Sequence, residues 1–172
     1  QRQMCIRDSL HTESDVADRS EVTERYGDTF HPKKENWEPL YGDVEFRDVS
    51  FRYPDGEEYV LEHFNLKVPK GTNVAIVGET GAGKSTLVNL IPRFYDVTEG
   101  EVLVDGRNVQ EYTYEGLRGK IGVVPQKAVL FSGTIRENLR WGKEDATDEE
   151  LYAALETAQG REIVEKKEKG LD

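Results

Sequence analysis

A single cysteine, Cys5, and a single methionine, Met4, stand in 172 residues. One thiol excludes an internal disulfide and any multi-cysteine metal site, and this fits a reducing, cytosolic compartment. Apolar residues make up only 36%. No run of them approaches the roughly 20 that cross a bilayer, and no signal peptide is evident. Positive charge is also short: 23 Lys and Arg face 34 Asp and Glu, a net charge of −11. Sequence-independent binding to nucleic acid needs a positive surface, so nucleic acid is not expected as a partner. Adhesion to anionic lipid is disfavoured for the same reason.

The ends read as cuts. The opening QRQMCIRDS, residues 1–9, has no periodicity and resembles a translated sequencing adapter, so Met4 and Cys5 are expected to carry no biology. The chain stops at Gly170-Leu171-Asp172 after a charged helical run, with nothing that terminates a domain. Residues 10–40 are polar and broken by Pro32 and Pro39, and read as a linker. A domain is expected over 41–172, a length that can bury a core.

Within it, Val44, Phe46 and Val49 mark a short strand ending at Pro54, and Tyr59–Val68 marks a second, the two antiparallel and peripheral. Asn73–Val77 is an unbroken apolar row bounded by turn signals, as suits a strand buried on both faces. A helix is predicted over Ser85–Ile91, stopped by Pro92. Glu101–Val104 is a strand, Asp105-Gly106 a hairpin turn and Lys120–Val124 another apolar strand. Thr134–Leu139 and Asp148–Ala158 carry helical patterns, the second capped by Thr147 or Asp148 with Glu149 and Glu150 in its first turn. Strands alternating with helices predict an α/β fold with a partly parallel sheet. Glu162, Glu165, Lys166, Lys167 and Lys169 read as a solvated helix face.

Between the predicted strand and helix lies Gly78-Glu79-Thr80-Gly81-Ala82-Gly83-Lys84-Ser85, the pattern G-x-x-x-x-G-K-[ST]. Glycines let the backbone approach phosphate oxygens closely. Successive N–H groups and the start of the next helix form an anion cradle. Lys84 is expected to reach the β- and γ-phosphates, the Ser85 hydroxyl to ligate Mg²⁺, and Thr86 to touch the α-phosphate. Four fixed positions match by chance in fewer than roughly one in a hundred chains of this length. The loop alone says only that a nucleotide binds; kinases, GTPases and helicases share it.

Further motifs narrow the choice. Phe51-x-Tyr53 lies 25 residues before Gly78, Ile121-Gly122-Val123-Val124-Pro125-Gln126 ends in a glutamine after an apolar row, and Val129–Leu139 reads VLFSGTIRENL. In this order the motifs resemble the ATP-binding cassette domains of exporter-type transporters, over about Leu40 to Asp172. The resemblance implies a P-loop NTPase cassette with a parallel core and an antiparallel β subdomain, here incomplete. It implies that Tyr53 stacks on adenine, a base face needing no hydrogen-bond match, and that Gln126 helps hold Mg²⁺ and the attacking water. It implies ATP and Mg²⁺ as cofactors. It further implies a transmembrane domain on the same or a partner chain, a second nucleotide-binding domain, and a place on the cytoplasmic face of a bacterial plasma membrane. The run Trp141–Asp148 is most similar to half-transporters that pair as heterodimers, which is favoured over a homodimer, and Leu10–Ala17, LHTESDVA, is similar to the stretch that follows the last transmembrane helix.

The family's signature motif, acidic Mg²⁺-binding strand and switch histidine do not occur; His11, His31 and His63 all precede the phosphate loop. The piece alone is therefore expected to bind nucleotide weakly and not to turn it over. Three readings compete with an exporter subunit. They are a soluble cassette protein, a different phosphate-loop enzyme, and a degenerate cassette that binds ATP without cleaving it. The transported substrate is not legible.

Overall fold

The computed structural model describes residues 18–28, 31–127 and 129–172. The adapter-like residues 1–9, with Met4 and Cys5, and the stretch Leu10–Ala17, with His11, lie outside the described residues. The chain divides into two compact units, Gln1–Gly122 and Val123–Asp172.

The first unit is built on a four-stranded antiparallel sheet of order β2-β1-β3-β4. Its strands are β1 (Val44–Phe51), β2 (Leu61–Val68), β3 (Glu99–Val104) and β4 (Arg107–Asn108). In β1, Phe46, Val49 and Phe51 are buried, because a double irregularity between Phe46 and Phe51 shifts the alternation. Asp48 and His63 take positive φ at that irregularity, and the Asp48 N–H donates to the Asn65 side chain at 2.9 Å. Opposite, Gly100 sits at φ +79, where an added Cβ would lie 2.3 Å from the Asp48 carbonyl oxygen. Only glycine fits there.

Asp105 and Gly106 both have positive φ and close the two-residue β3–β4 hairpin, as their sequence predicts. The Asp105 carboxylate accepts from the N–H groups of Tyr41 (2.6 Å), Gly42 and Asp43 (2.9 Å each), pinning the entry to β1. Against the sheet pack helix α2 (Lys84–Leu90), through Leu87 and Leu90, and Leu117 of α3 (Tyr114–Arg118). Helix α2 begins one residue earlier than predicted and stops before Pro92.

Two expectations are corrected. Asn73–Val77 is not a strand. It runs without ladder bonds, with Val74, Ile76 and Val77 exposed by 50%, 41% and 92%. Lys120–Val124 behaves alike, Val124 being 96% exposed. Both rows have the composition of buried parallel strands, but a strand exists only with a neighbour, and no described strand pairs with either. The sheet that does form among the described residues is antiparallel throughout.

The stretch read as a linker is also more ordered than expected. From residue 18 it contains helix α1 (Ser20–Tyr26) and a single 3₁₀ turn (Lys34–Asn36). Val22 and Tyr26 are buried. The guanidinium of Arg107 lies between the rings of Tyr26 (4.7 Å) and Tyr112 (4.4 Å), and the Trp37 indole N–H donates to the Tyr26 carbonyl at 3.3 Å.

The second unit holds α4 (Ile135–Arg140), α5 (Asp148–Thr157) and α6 (Arg161–Glu165) around Ala146, Leu151, Leu155, Val164 and Leu171. Capping boxes start α4 at Thr134 with Glu137 and α5 at Thr147 with Glu150. Arg136 bridges Asp148 and Asp172, the latter at 2.8 Å. The polar face beyond Arg161 is exposed, with Lys166 on Glu162 at 3.3 Å.

Candidate functional site

The loop after the unpaired Asn73–Val77 row folds into a tight turn. Gly81 and Gly83 have φ +90 and +76, a left-handed conformation that side chains resist, and the Ala82 N–H donates to the Glu79 carbonyl at 3.2 Å. Gly83 is also sterically closed: a Cβ there would press on the Val60 carbonyl (3.1 Å) and the Leu61 side chain (3.2 Å) of the strand beneath. The N–H groups of Thr80, Gly81, Gly83, Lys84 and Ser85 donate to no acceptor among the described residues. A cluster of unspent backbone donors at an exposed loop is the cradle that phosphate oxygens require.

Lys84 is half-buried, and its ammonium donates to the carbonyls of Gly78 (2.9 Å) and Glu79 (2.5 Å). This folds the side chain back over the loop and leaves one of its three donors unspent. The Ser85 side chain is exposed and bonded to no described residue, so its oxygen is open to a hard cation. These residues fit Mg²⁺ and a polyphosphate. Thr86 is buried, and its hydroxyl is shared with the Tyr53 hydroxyl at 2.8 Å.

That bond joins the aromatic motif to the phosphate loop across 33 residues of sequence. Tyr53 is half-buried and braced edge-on by Phe51 (5.0 Å between ring centroids) and Tyr95 (5.1 Å). The model of the ABC transporter family matches residues 61–170. The chain belongs to the ABC transporter family.

Relatives of this family narrow its type. The chain is 43% identical over 159 residues to an uncharacterized ABC transporter ATP-binding protein of Bacillus subtilis, YfiC, a match covering 92% of this chain and 25% of the relative. It is 50% identical over 125 residues to YgaD of the same bacterium, provisionally named a multidrug export ATP-binding/permease protein, covering 73% of this chain and 22% of the relative. A Staphylococcus aureus protein with the same provisional description is 45% identical over 131 residues, covering 76% of this chain and 23% of the relative. Among solved structures, a bacterial Atm1-family ABC exporter with ATP bound superposes with a TM-score of 0.79 at 34% identity, covering 99% of this chain and 29% of that one. The chain thus spans about a quarter of the length of the relatives it matches. It has the P-loop NTPase fold of this family and is similar to the ATP-binding parts of proteins named as exporters.

The structure gathers Tyr53, Gly78 to Ser85 and Thr86 in the first unit. Gln126 belongs to the second unit, where it is exposed and its side chain bonds to no described residue. His31 and His63 lie at the surface, each against an aspartate, Asp28 (3.4 Å) and Asp48 (2.9 Å). Sequence reasoning missed Tyr95 and Thr98. The Thr98 hydroxyl accepts from the Arg52 N–H at 3.1 Å and so fixes the residue before Tyr53. The signal for Tyr95 was the aromatic pair Phe94-Tyr95 just beyond Pro92, which reads as ordinary core until its partner is known; Thr98 had none.

Proposed function

We propose that this chain is the leading part of the nucleotide-binding domain of a bacterial ABC exporter. On this reading it binds Mg-ATP, and in the complete protein ATP hydrolysis drives a substrate outward across the membrane. The Tyr53–Thr86 bond carries the proposal, because it sets an aromatic ring beside the helix that follows the phosphate cradle. Gly78, Glu79, Thr80, Gly81, Ala82, Gly83 and Lys84 surround the phosphates, chiefly through backbone N–H groups. Lys84 exchanges its two carbonyl partners for β- and γ-phosphate oxygens, a trade of neutral acceptors for charged ones that strengthens each bond. Ser85 would ligate Mg²⁺, whose charge would offset that developing on the transferred phosphoryl group, and for Gln126 the role at Mg²⁺ rests on the family resemblance alone. Tyr53 carries the base and Thr86 steadies Tyr53 while facing the α-phosphate.

The partners follow from the family's architecture. They are a membrane domain preceding residues 10–40, or on a second chain, and another nucleotide-binding domain, with a heterodimer favoured by the Trp141–Asp148 run. The domain then works at the cytoplasmic face of the membrane.

The coding DNA on both sides of this sequence tests the reading. Hydrophobic spans upstream of Leu10, with a signature motif and an acidic strand end downstream of Asp172, are expected. The residue after that strand's aspartate separates hydrolysis from binding alone. A gene with no membrane spans, and no neighbouring gene that encodes them, overturns the transporter reading.

A further inference from the structure

Arg93 is a charged residue with 2% of its side chain exposed, in a left-handed conformation at φ +55. Its fork grips Asp96 with two bonds, Nε to Oδ1 at 2.7 Å and an Nη to Oδ2 at 3.1 Å, closing the turn after α2. Arg118 locks the same turn from outside, donating to the carbonyls of Pro92 (2.8 Å) and Arg93 (2.5 Å). Arg93 is buried while Asp96 keeps 29% of its side chain exposed; taking the guanidinium out of water is costly, and the two-point grip holds the turn in one geometry.

What the turn fixes is the wall behind Tyr53. Between Arg93 and Asp96 stands Tyr95, whose ring meets the Tyr53 ring at 90° and 5.1 Å. Two residues beyond Asp96 stands Thr98, whose hydroxyl holds the Arg52 N–H at 3.1 Å. Beside Phe51 and Thr86, two supports of Tyr53 thus flank the turn that this arginine closes. The other side of that arginine faces the N-terminal stretch, where the Asp18 carboxylate lies 3.5 Å away with 10% of its side chain exposed.

We propose that Arg93 is a positioning residue for nucleotide binding: it sets Tyr53 through Tyr95 and Thr98, and Asp18 ties the chain leading into the domain to that support. Tyr53 takes the base and the loop takes the phosphates, so loosening Arg93 weakens binding through the base and leaves the polyphosphate contacts alone. This rests on the Mg-ATP reading above.

The test compares two probes, Mg-ATP and Mg-tripolyphosphate, titrated calorimetrically into the full-length protein that carries this domain. Base stacking on an aromatic contributes roughly 5- to 150-fold in affinity. Partial misplacement of Tyr53 should therefore weaken ATP about tenfold in Arg93→Lys, which keeps the charge and loses the fork, and about threefold in Asp18→Asn. Tripolyphosphate affinity should change less than about twofold in both. In a Tyr53→Ala background, Arg93→Lys should cost nothing further, since the group it positions is gone. Equal losses for both probes, additive losses on Tyr53→Ala, or unchanged ATP binding in both variants would each overturn the proposal. If wild-type protein binds tripolyphosphate but gains nothing from the base, Tyr53 is not an adenine platform and the positioning role falls with it. If it binds neither probe, the nucleotide reading itself is wrong.

Discussion

The four-stranded sheet and the two unpaired apolar rows have opposite fates, although the rows are the more apolar. Phe46, Val49 and Phe51 of β1 are 2%, 0% and 1% exposed, whereas Val77 and Val124 are 92% and 96% exposed. The difference is not hydrophobicity. Strand β1 finds β2 across the connection 52–60 and β3 through a register that a bulge enforces, all among the described residues. The rows at 73–77 and 120–124 read more strongly as strands than β1 does, yet have no ladder partner there. A strand's sequence states that it will be buried; only its neighbour makes it a strand.

The sharpest way to break this contrast is truncation on both sides of it. Phe46 packs edge-on against Phe64 with 5.6 Å between centroids, so Phe46→Ala should cost about 3–5 kcal/mol. Val77→Ala should stay within about 0.5 kcal/mol, as for an exposed site. Urea denaturation of both variants decides it. A large loss at Val77 would mean that the row is buried in the working protein, and the comparison would collapse.

Less costly, but aimed at the cause, is Gly100→Ala. Its Cβ would meet the Asp48 and Arg47 carbonyl oxygens at 2.3 and 2.5 Å, at a φ that alanine resists. A loss of about 1–3 kcal/mol is expected, larger than for Gly106→Ala, where a Cβ meets nothing within 4 Å. Similar losses at the two positions would show that the bulge does not set the register.

This division explains what was legible beforehand. The Asp105-Gly106 hairpin, the Pro92 stop and the Thr147 cap depend on a few adjacent residues, and all appear where the sequence puts them. The phosphate loop was legible for the same reason, since its cradle is its own backbone. The fold-level error lay in Asn73–Val77 and Lys120–Val124, whose state depends on ladder partners that no described residue supplies. Residues 18–40 failed in the other direction. Polar composition and two prolines suggested open linker, and only the docking of Tyr26 on Arg107 reveals a packed segment. Arg93 was invisible because nothing in a sequence marks which arginine will be buried.

Local self-sufficiency predicts smaller effects in the second unit, where α4 and α5 supply their own caps. Thr147→Ala removes the oxygen that accepts the Glu150 N–H at 3.4 Å and should cost about 1 kcal/mol, read as lost helicity at 222 nm. Thr134→Ala should cost a similar amount at α4, where the corresponding bond is 3.1 Å. A much larger loss from either would show that these helices lean on distant contacts, as the unpaired rows do.

The smallest expected effect separates the shape of that cap from its charge. The Lys143 ammonium at 2.6 Å, and then the Thr147 N–H at 3.0 Å, hold the Glu150 carboxyl below its ordinary value of 4.5. A depressed carboxylate contributes stability that is fully present above its unfolded value and lost as pH falls through the folded one. The start of α5 should therefore loosen only below about pH 4.5, in the window that the NMR titration of Glu150 itself defines. Glutamine at this position still accepts the Thr147 N–H, because a capping box takes either residue, but it offers Lys143 no charge. Glu150→Gln should thus keep α5 intact at neutral pH and remove its share of the acid dependence. Should the variant lose helicity at neutral pH as Thr147→Ala does, the ion pair and not the box holds the helix start. Local capping would then be the weaker half of the contrast with the unpaired strands.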